Sequence, residues 1–296
     1  MQSFPVFVVL AAMLWVSAAS DEFLAGDFIK QHLNSIGSEQ ARAAVKNRGV
    51  GGTVSFQLVT GGTEREDGKQ ILVSEGDKLV SWFQLPNHHY PGERFVSDGK
   101  KVHVAEIQAS VYSALGDFVM VHSEILTEGL WGGTLSTAWP LAHLDQRLAK
   151  LEDRGLKKVD GRDLHRVDYA PRKTSDLQIE LYFEPDTFRH VMTAYSFTAP
   201  PPMTHNRAQN LRQGDVHYRL EERFADFKSV DNLSLPSRWT IQFSVDGAGG
   251  FSGYSGNKNA PLSSERASPT QTYQFDVTET SLSHNIQVNP DNFDVK

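Results

Sequence analysis

From Lys78 to Glu106 the chain reads KLVSWFQLPNHHYPGERFVSDGKKVHVAE, a run that suits little besides antiparallel sheet. Lys78–Leu85, Glu93–Ser97 and Lys101–Glu106 are short segments rich in β-branched and aromatic residues. A Pro-and-His turn separates the first two, and Asp98-Gly99 the last two. An Asp-Gly pair between alternating segments predicts a tight type I′ hairpin, because that turn needs positive φ at both central residues. Segments joined so closely form an antiparallel meander.

The same grammar recurs along the chain. Thr53–Thr60 and Gln70–Ser74 read as strands, with turns at Gly61-Gly62 and Asp67-Gly68 between them. Ala149–Asp153, Lys157–Val159, Leu164–Tyr169, Leu177–Phe183, His190–Phe197, Val216–Phe224, Pro236–Val245 and Thr272–Thr280 follow, about ten or eleven strands in all. Helices are predicted at four places. Asp27 caps one that carries Phe28, Ile29, Leu33 and Ile36 on one face and stops at Gly37. A second runs from Ser38 to Arg48 and is stopped by Gly49. Between Val111 and Leu126 the apolar residues Val111, Leu115, Phe118, Val119 and Ile125 recur at helical spacing, and the helix closes near Gly129. Ser136–Leu144 is a further short helical piece. A sheet of this many strands curls, and wraps any helices available to it. The expected fold is therefore mainly β (α+β): a curled antiparallel sheet or incomplete β-barrel with helices plugging its concave face. No linker separates two cores, so residues 21–296 are expected to form one domain. Ala199–Gly214, with three consecutive prolines, and the Gly/Ser/Asn-rich Asp246–Ser268 are expected to be flexible.

Several function classes are disfavoured. The 296 residues carry a formal net charge of −7 with basic residues interspersed among acids, which argues against nucleic acid as a partner. Residues 1–20 are uncharged, with an apolar run Val6–Val16 followed by Ser17-Ala18-Ala19-Ser20. That is the pattern of a cleavable secretory leader, cut after Ala19 or Ser20, and it is too short for a membrane span of about 20 residues. The mature chain is expected to be soluble in the periplasm or outside the cell, not lipid-anchored. The chain has no cysteine, which excludes a thiol nucleophile, a thiolate metal site and a lipid-modified N-terminal Cys. Ser252 and Ser255 lie in Gly250–Gly256, which is not a nucleophile elbow. Glu221 and Glu222 are adjacent on a predicted strand, so they face opposite sides and cannot share a substrate. His88, His89 and His103 could offer imidazoles to a metal, but no carboxylate stands at ligand spacing and HExxH is absent. His122, on an otherwise apolar helical face, reads as a satisfied core or cavity-rim group. No catalytic residue, metal ligand or cofactor is expected.

The apolar residues suggest binding instead. Leu72, Leu79 and Trp82 on strands, Phe118, Met120 and Ile125 on the predicted helix, and Leu130 and Trp131 in the glycine-rich loop after it are candidates to line an apolar cavity and its lid. Alternate strand residues face opposite sides, so not every strand candidate can point inward.

At Leu79–Trp82, Pro86 and Val96-Ser97-Asp98-Gly99-Lys100 the sequence resembles the periplasmic outer-membrane lipoprotein carriers, the LolA/LolB superfamily. The Val159-Asp160-Gly161-Arg162 turn and the Leu177–Phe183/His190–Tyr195 hairpin are similar to that family's later hairpins. Phe224-Ala225-Asp226-Phe227, Asn232–Pro236 and Val288–Phe293 resemble its sorting-protein branch. The family's Arg beside the carrier strand has no counterpart, since Glu75-Gly76-Asp77-Lys78 stands there. The resemblance implies an incomplete barrel capped by helices, with a lipid or lipoprotein acyl chain held between. It implies a non-enzymatic carrier-like protein, with a periplasmic sensor or a module binding an envelope protein as the alternative. A metal-dependent hydrolase is the third reading.

Overall fold

The computed structural model describes residues 25–59, 65–87, 90–105, 113–200, 215–247 and 270–295. The proposed leader, His88, His89, Ser252, Ser255 and almost all of the two segments expected to be flexible lie outside the described residues.

Among the described residues, twelve strands form a single sheet: β1 (Asn47–Leu58), β2 (Arg65–Glu75), β3 (Lys78–Gln84), β4 (Arg94–Ser97), β5 (Val102–Val104), β6 (Lys150–Val159), β7 (Arg162–Ala170), β8 (Gln178–Phe183), β9 (His190–Ala199), β10 (Val216–Val230), β11 (Leu233–Asp246) and β12 (Thr270–His284). Their order is β5-β4-β3-β2-β1-β12-β11-β10-β9-β8-β7-β6, every pair antiparallel. The sheet is thus a meander whose first strand returns to pair with its last. Its two edges, β5 and β6, are consecutive in sequence and do not pair, so the sheet stays open.

Period-2 alternation decides which side faces the core. On β3, Leu79, Ser81 and Phe83 are fully buried while Trp82 is 39% exposed. The concave face carries Leu72, Phe95, Tyr195, Leu220, Trp239, Ile241, Phe243 and Phe275, all buried. On the convex face the chain's end packs over part of the sheet, with Phe293 against Val80 and Val96. The helix α1 (Ala25–Ile36) lies at the far end of the core, with Phe28 edge-on to Phe183 at 4.9 Å between ring centres.

Turn chemistry follows the sequence in two hairpins and departs from it in one. Asp160-Gly161 (φ 49° and 80°) and Asp231-Asn232 (φ 50° and 63°) place positive φ at both central residues, as the type I′ turn requires. At Asp98-Gly99 only Gly99 has positive φ (87°). There the loop is longer, and the Asp98 carboxylate accepts from the backbone N–H of Lys100 at 2.8 Å and of Lys101 at 2.7 Å. The backbone closes the loop one residue further on, with Asp98 N–H donating to the Lys101 carbonyl at 3.2 Å, and the Asp98 side chain reinforces it.

Other differences have local causes. The predicted second helix shrinks to α2 (Glu39–Ala43), because β1 begins at Asn47 and threads Gly49, Gly51 and Gly52 into the sheet. A Cβ on Gly52 would stand 2.6 Å from the Thr278 carbonyl oxygen, where the β1–β12 register slips, so the glycine permits the close approach. The predicted helix after Val111 is broken into α3 (Ala114–Val121) and α4 (Glu124–Thr127) at His122-Ser123. The two short runs around Arg154-Gly155 are one strand, β6, interrupted by a bulge with Gly155 at φ 68°.

Candidate functional site

Among the described residues, the chain between the two sheet edges adds no strand. Residues 113–149 instead fold into α3, α4, two 3-10 turns at Gly133–Leu135 and Pro140–Ala142, and α5 (Leu144–Arg147). This segment fills the concave face and is termed the plug. Ser113 caps α3, its hydroxyl accepting from Gly116 N–H at 2.9 Å. Glycine then lets the backbone run close to its surroundings. Gly129 is at φ 75°, and a Cβ there would lie 2.0 Å from the Ala138 carbonyl oxygen. Gly132 is at φ 76°, and a Cβ would lie 2.8 Å from Leu72 Cδ1 on the sheet. A larger residue at Gly129 would collide with the Ala138 backbone, and at Gly132 it would have to displace the Leu72 side chain.

Between these glycines Trp131 inserts into an aromatic nest, 4.9 Å from the Phe95 ring centre and 5.6 Å, edge-on, from that of Trp239. The sequence-predicted candidates divide here. Leu72, Leu79, Phe118, Ile125, Leu130 and Trp131 belong to one buried cluster, and Met120 packs half-buried against it. Trp82 does not join them: it sits on the convex face opposite Ile71 and Arg94. Strand alternation sends it outward, because Leu79, Ser81 and Phe83 occupy the inner register. Trp82→Asp is accordingly expected to cost about 1 kcal/mol of stability or less and to leave any binding by the concave face unchanged, as measured by denaturant titration and a ligand assay.

The anticipated hollow is occupied. Leu72, Leu79, Ile125, Leu130 and Trp131 have no surface that water can reach, so plug and sheet are in close-packed contact at these side chains. Three described basins lie elsewhere. One of about 750 Å³ is on the convex face over β1, β2, β11 and β12. Another of about 850 Å³ lies at the plug's rim beside His122, Glu124, Arg147 and Lys173. The third, of about 770 Å³, lies beside β7 and β8.

Polar side chains fasten the plug. Glu222, on the inner face of β10, is completely buried. Its Oε1 accepts from Gly132 N–H at 2.8 Å and from Trp239 Nε1–H at 3.1 Å, and its Oε2 accepts from the Tyr195 hydroxyl at 2.8 Å. One carboxyl thus ties the plug backbone to three strands. Burial pushes its pKa up to about 7, against the pull of those hydrogen bonds. Arg48 donates to the Thr134 carbonyl at 2.6 Å and to His284 Nε2 at 3.0 Å. The Ser74 hydroxyl accepts from Thr137 N–H at 2.9 Å. Trp139 Nε1–H donates to His32 Nε2 at 2.9 Å, which leaves the proton of that imidazole on Nδ1, directed at the Phe188 carbonyl at 2.9 Å. Burial holds the His32 pKa down to about 4, consistent with a neutral ring. At the plug's entrance Ser113 also bonds Glu93, a carboxyl pushed up to about 8 by burial.

These fasteners were not singled out from sequence. The Glu221-Glu222 reading was correct in geometry: Glu221 faces outward to Arg219 at 2.7 Å, and Glu222 faces in. The signal was an acid standing at a core register of a strand between Leu220 and Phe224. His122 is buried among rings, 4.7 Å from the Phe197 ring centre, with Glu124 at 3.6 Å from its Nδ1. His103, on β5, is half-buried, and among the described residues no three metal-ligating side chains come together. Nor, among them, is any helix long and apolar enough to cross a membrane.

No family model matches the sequence, and no curated protein matches it. Solved structures similar to it include a LolA superfamily protein from Nitrosomonas europaea at 8% identity, covering 90% of this chain and 95% of that one with a TM-score of 0.45. A DUF1329 family protein from Desulfovibrio piger shares 10% identity over 91% of this chain and 96% of its own, with a TM-score of 0.43. The Mycobacterium tuberculosis lipoprotein LppX shares 9% identity over 89% of this chain and 99% of its own, with a TM-score of 0.23. These are structural likenesses at low identity, one of them to a protein described as belonging to the LolA superfamily.

Proposed function

We propose that this chain is an exported, non-enzymatic binding protein that takes a hydrocarbon chain between the concave face of its sheet and the plug. The observation that carries this reading is the way the plug is attached. It joins the two free edges of an open sheet, forms no strand ladder with it, and is held by side-chain hydrogen bonds and apolar contact. A segment without a backbone ladder can lift without unzipping the sheet. On lifting, Leu72 and Leu79 on the sheet and Phe118, Met120, Ile125, Leu130 and Trp131 on the plug would face a guest in place of one another. Trp82 has no part in this site.

The magnitudes allow it. Burying a hydrocarbon gains about 0.8 kcal/mol per CH₂, so a sixteen-carbon chain offers roughly 12 kcal/mol against the plug contacts it displaces. The test is to purify the exported form, extract and identify any bound lipid, and titrate the stripped protein with a fluorescent alkyl probe. Saturable uptake that quenches or shifts tryptophan emission, with Trp131 and Trp239 at the contact, is the expected result. Stripped protein that takes up no probe contradicts the reading.

A further inference from the structure

The inner face carries a polar row that its own packing leaves unpaired. Gly52 at the centre of β1 has Gln70 as its cross-strand partner on β2 and Glu279 as its partner on β12. Directly paired residues point to the same face, so the two long polar side chains flank a strand position that has none. Val50 and Val54, two residues to either side of Gly52, are buried on that same inner face. Gln70 is 1% exposed and Glu279 9%. Among the described residues, both amide atoms of Gln70 and both carboxyl oxygens of Glu279 are buried without a hydrogen-bond partner.

The plug lies over this row. The Cβ position of Gly132 is 2.8 Å from Leu72, two residues along β2 from Gln70, and 4.0 Å from Trp239, which pairs with Val277, two residues along β12 from Glu279. The loop therefore crosses the sheet at Gly52, and it brings two more unpaired groups, Trp131 Nε1 and Thr134 Oγ1. An apolar pair at positions 70 and 279 would close the same surface without this cost, since an unpaired buried amide or carboxyl forfeits its hydration and gains nothing in return.

We propose that the Gln70–Gly52–Glu279 row receives the polar head of an amphiphilic guest once the plug lifts, and that this head bears a hydrogen-bond donor and no negative charge, as a hydroxyl or an amine does. The inference rests on the reading that a hydrocarbon chain displaces the plug. Gln70 offers a carbonyl and an N–H, and Glu279 offers acceptors, with a proton to share while it is neutral. Burial holds that carboxyl up to about 8, so it stays protonated beside a hydroxyl guest and can ionise beside an ammonium. A carboxylate or phosphate head would meet Glu279 with no cation in the row. Arg48, the buried cation of β1, stands two inner-face positions away, and two of its N–H groups are directed at Thr134 and His284.

The experiment displaces a fluorescent alkyl probe from the full exported chain with hexadecylamine, monopalmitoylglycerol and palmitate. The amine and the glyceride are expected to compete at least tenfold better than palmitate, and the stronger of the two tells which head chemistry the row prefers. Gln70→Leu with Glu279→Leu should abolish that preference while keeping probe binding. The same double variant should raise the Tm of the empty protein by at least about 2 °C. Palmitate competing equally well in the wild type, or a double variant that keeps the preference, overturns the inference and leaves the plug reading standing. A wild-type protein that binds no probe overturns both. Should the double variant fail to fold, the wild-type order of competition decides.

Discussion

Glu222→Leu should be the most damaging single substitution in this protein, at about 3–5 kcal/mol of lost stability, because three buried donors lose their acceptor at about 1–3 kcal/mol each with partial relaxation. Gly132 N–H, Trp239 Nε1–H and the Tyr195 hydroxyl all end on that one carboxyl. The loss would appear as a Tm lowered by roughly 10 °C in thermal unfolding. Glu222→Gln should stay close to the wild type at neutral pH, since the amide has the shape and neutrality of the protonated acid. A leucine variant within about 1 kcal/mol of the wild type would show that the plug is not fastened there.

The same carboxyl shapes the pH dependence. Glu222 is raised to about 7, and Glu93 and Glu279 to about 8, all by burial. An acid whose folded pKa is raised contributes stability that is complete below its unfolded value, near 4.5, and lost as pH climbs through the folded value. His32, lowered to about 4, and His190, also lowered by burial, act in the opposite sense: their contribution is lost as pH falls below about 6.5. The wild type should therefore be most stable at mildly acidic pH, about 5–6, and weaken steadily towards pH 8. In Glu222→Gln the decline between pH 5 and 7 should be shallower. Denaturant titrations at pH 5.5, 7 and 8 measure both, and stability that rises from pH 5.5 to 8 contradicts the burial of these acids in neutral form.

The sheet was legible because its cues are local. Alternation in Lys78–Gln84 and paired turn residues such as Asp160-Gly161 act over a handful of residues, and together they specify a meander. The start of β1 was not legible. Gly49, Gly51 and Gly52 look like helix-stopping and turn residues until Ile286, Ser281 and Thr278 are seen against them, contacts more than 220 positions along the chain. Trp82 shows the complementary limit: alternation divides a strand's residues between two faces, but which set faces in depends on what covers each side. The plug was legible as apolar and glycine-rich, yet its fasteners were not. Glu222, Arg48 and Ser74 reach it from strands 63 to 90 residues away in sequence, so no local pattern announces them.

The second large effect concerns motion. Ser74 on β2 and Thr137 in the plug are in contact, with the Thr137 N–H 2.9 Å from the Ser74 hydroxyl, and the chain contains no other thiol to interfere. Ser74→Cys with Thr137→Cys would join plug to sheet by one disulfide, closing a loop whose entropy alone is worth about 4 kcal/mol. Oxidation should therefore raise the Tm while removing the free plug on which uptake depends. The measurement is alkyl-probe uptake by this variant, oxidised and then reduced with dithiothreitol. Uptake suppressed at least tenfold in the oxidised form and restored on reduction is the predicted outcome; an oxidised protein that takes up probe as readily as the reduced one would contradict it.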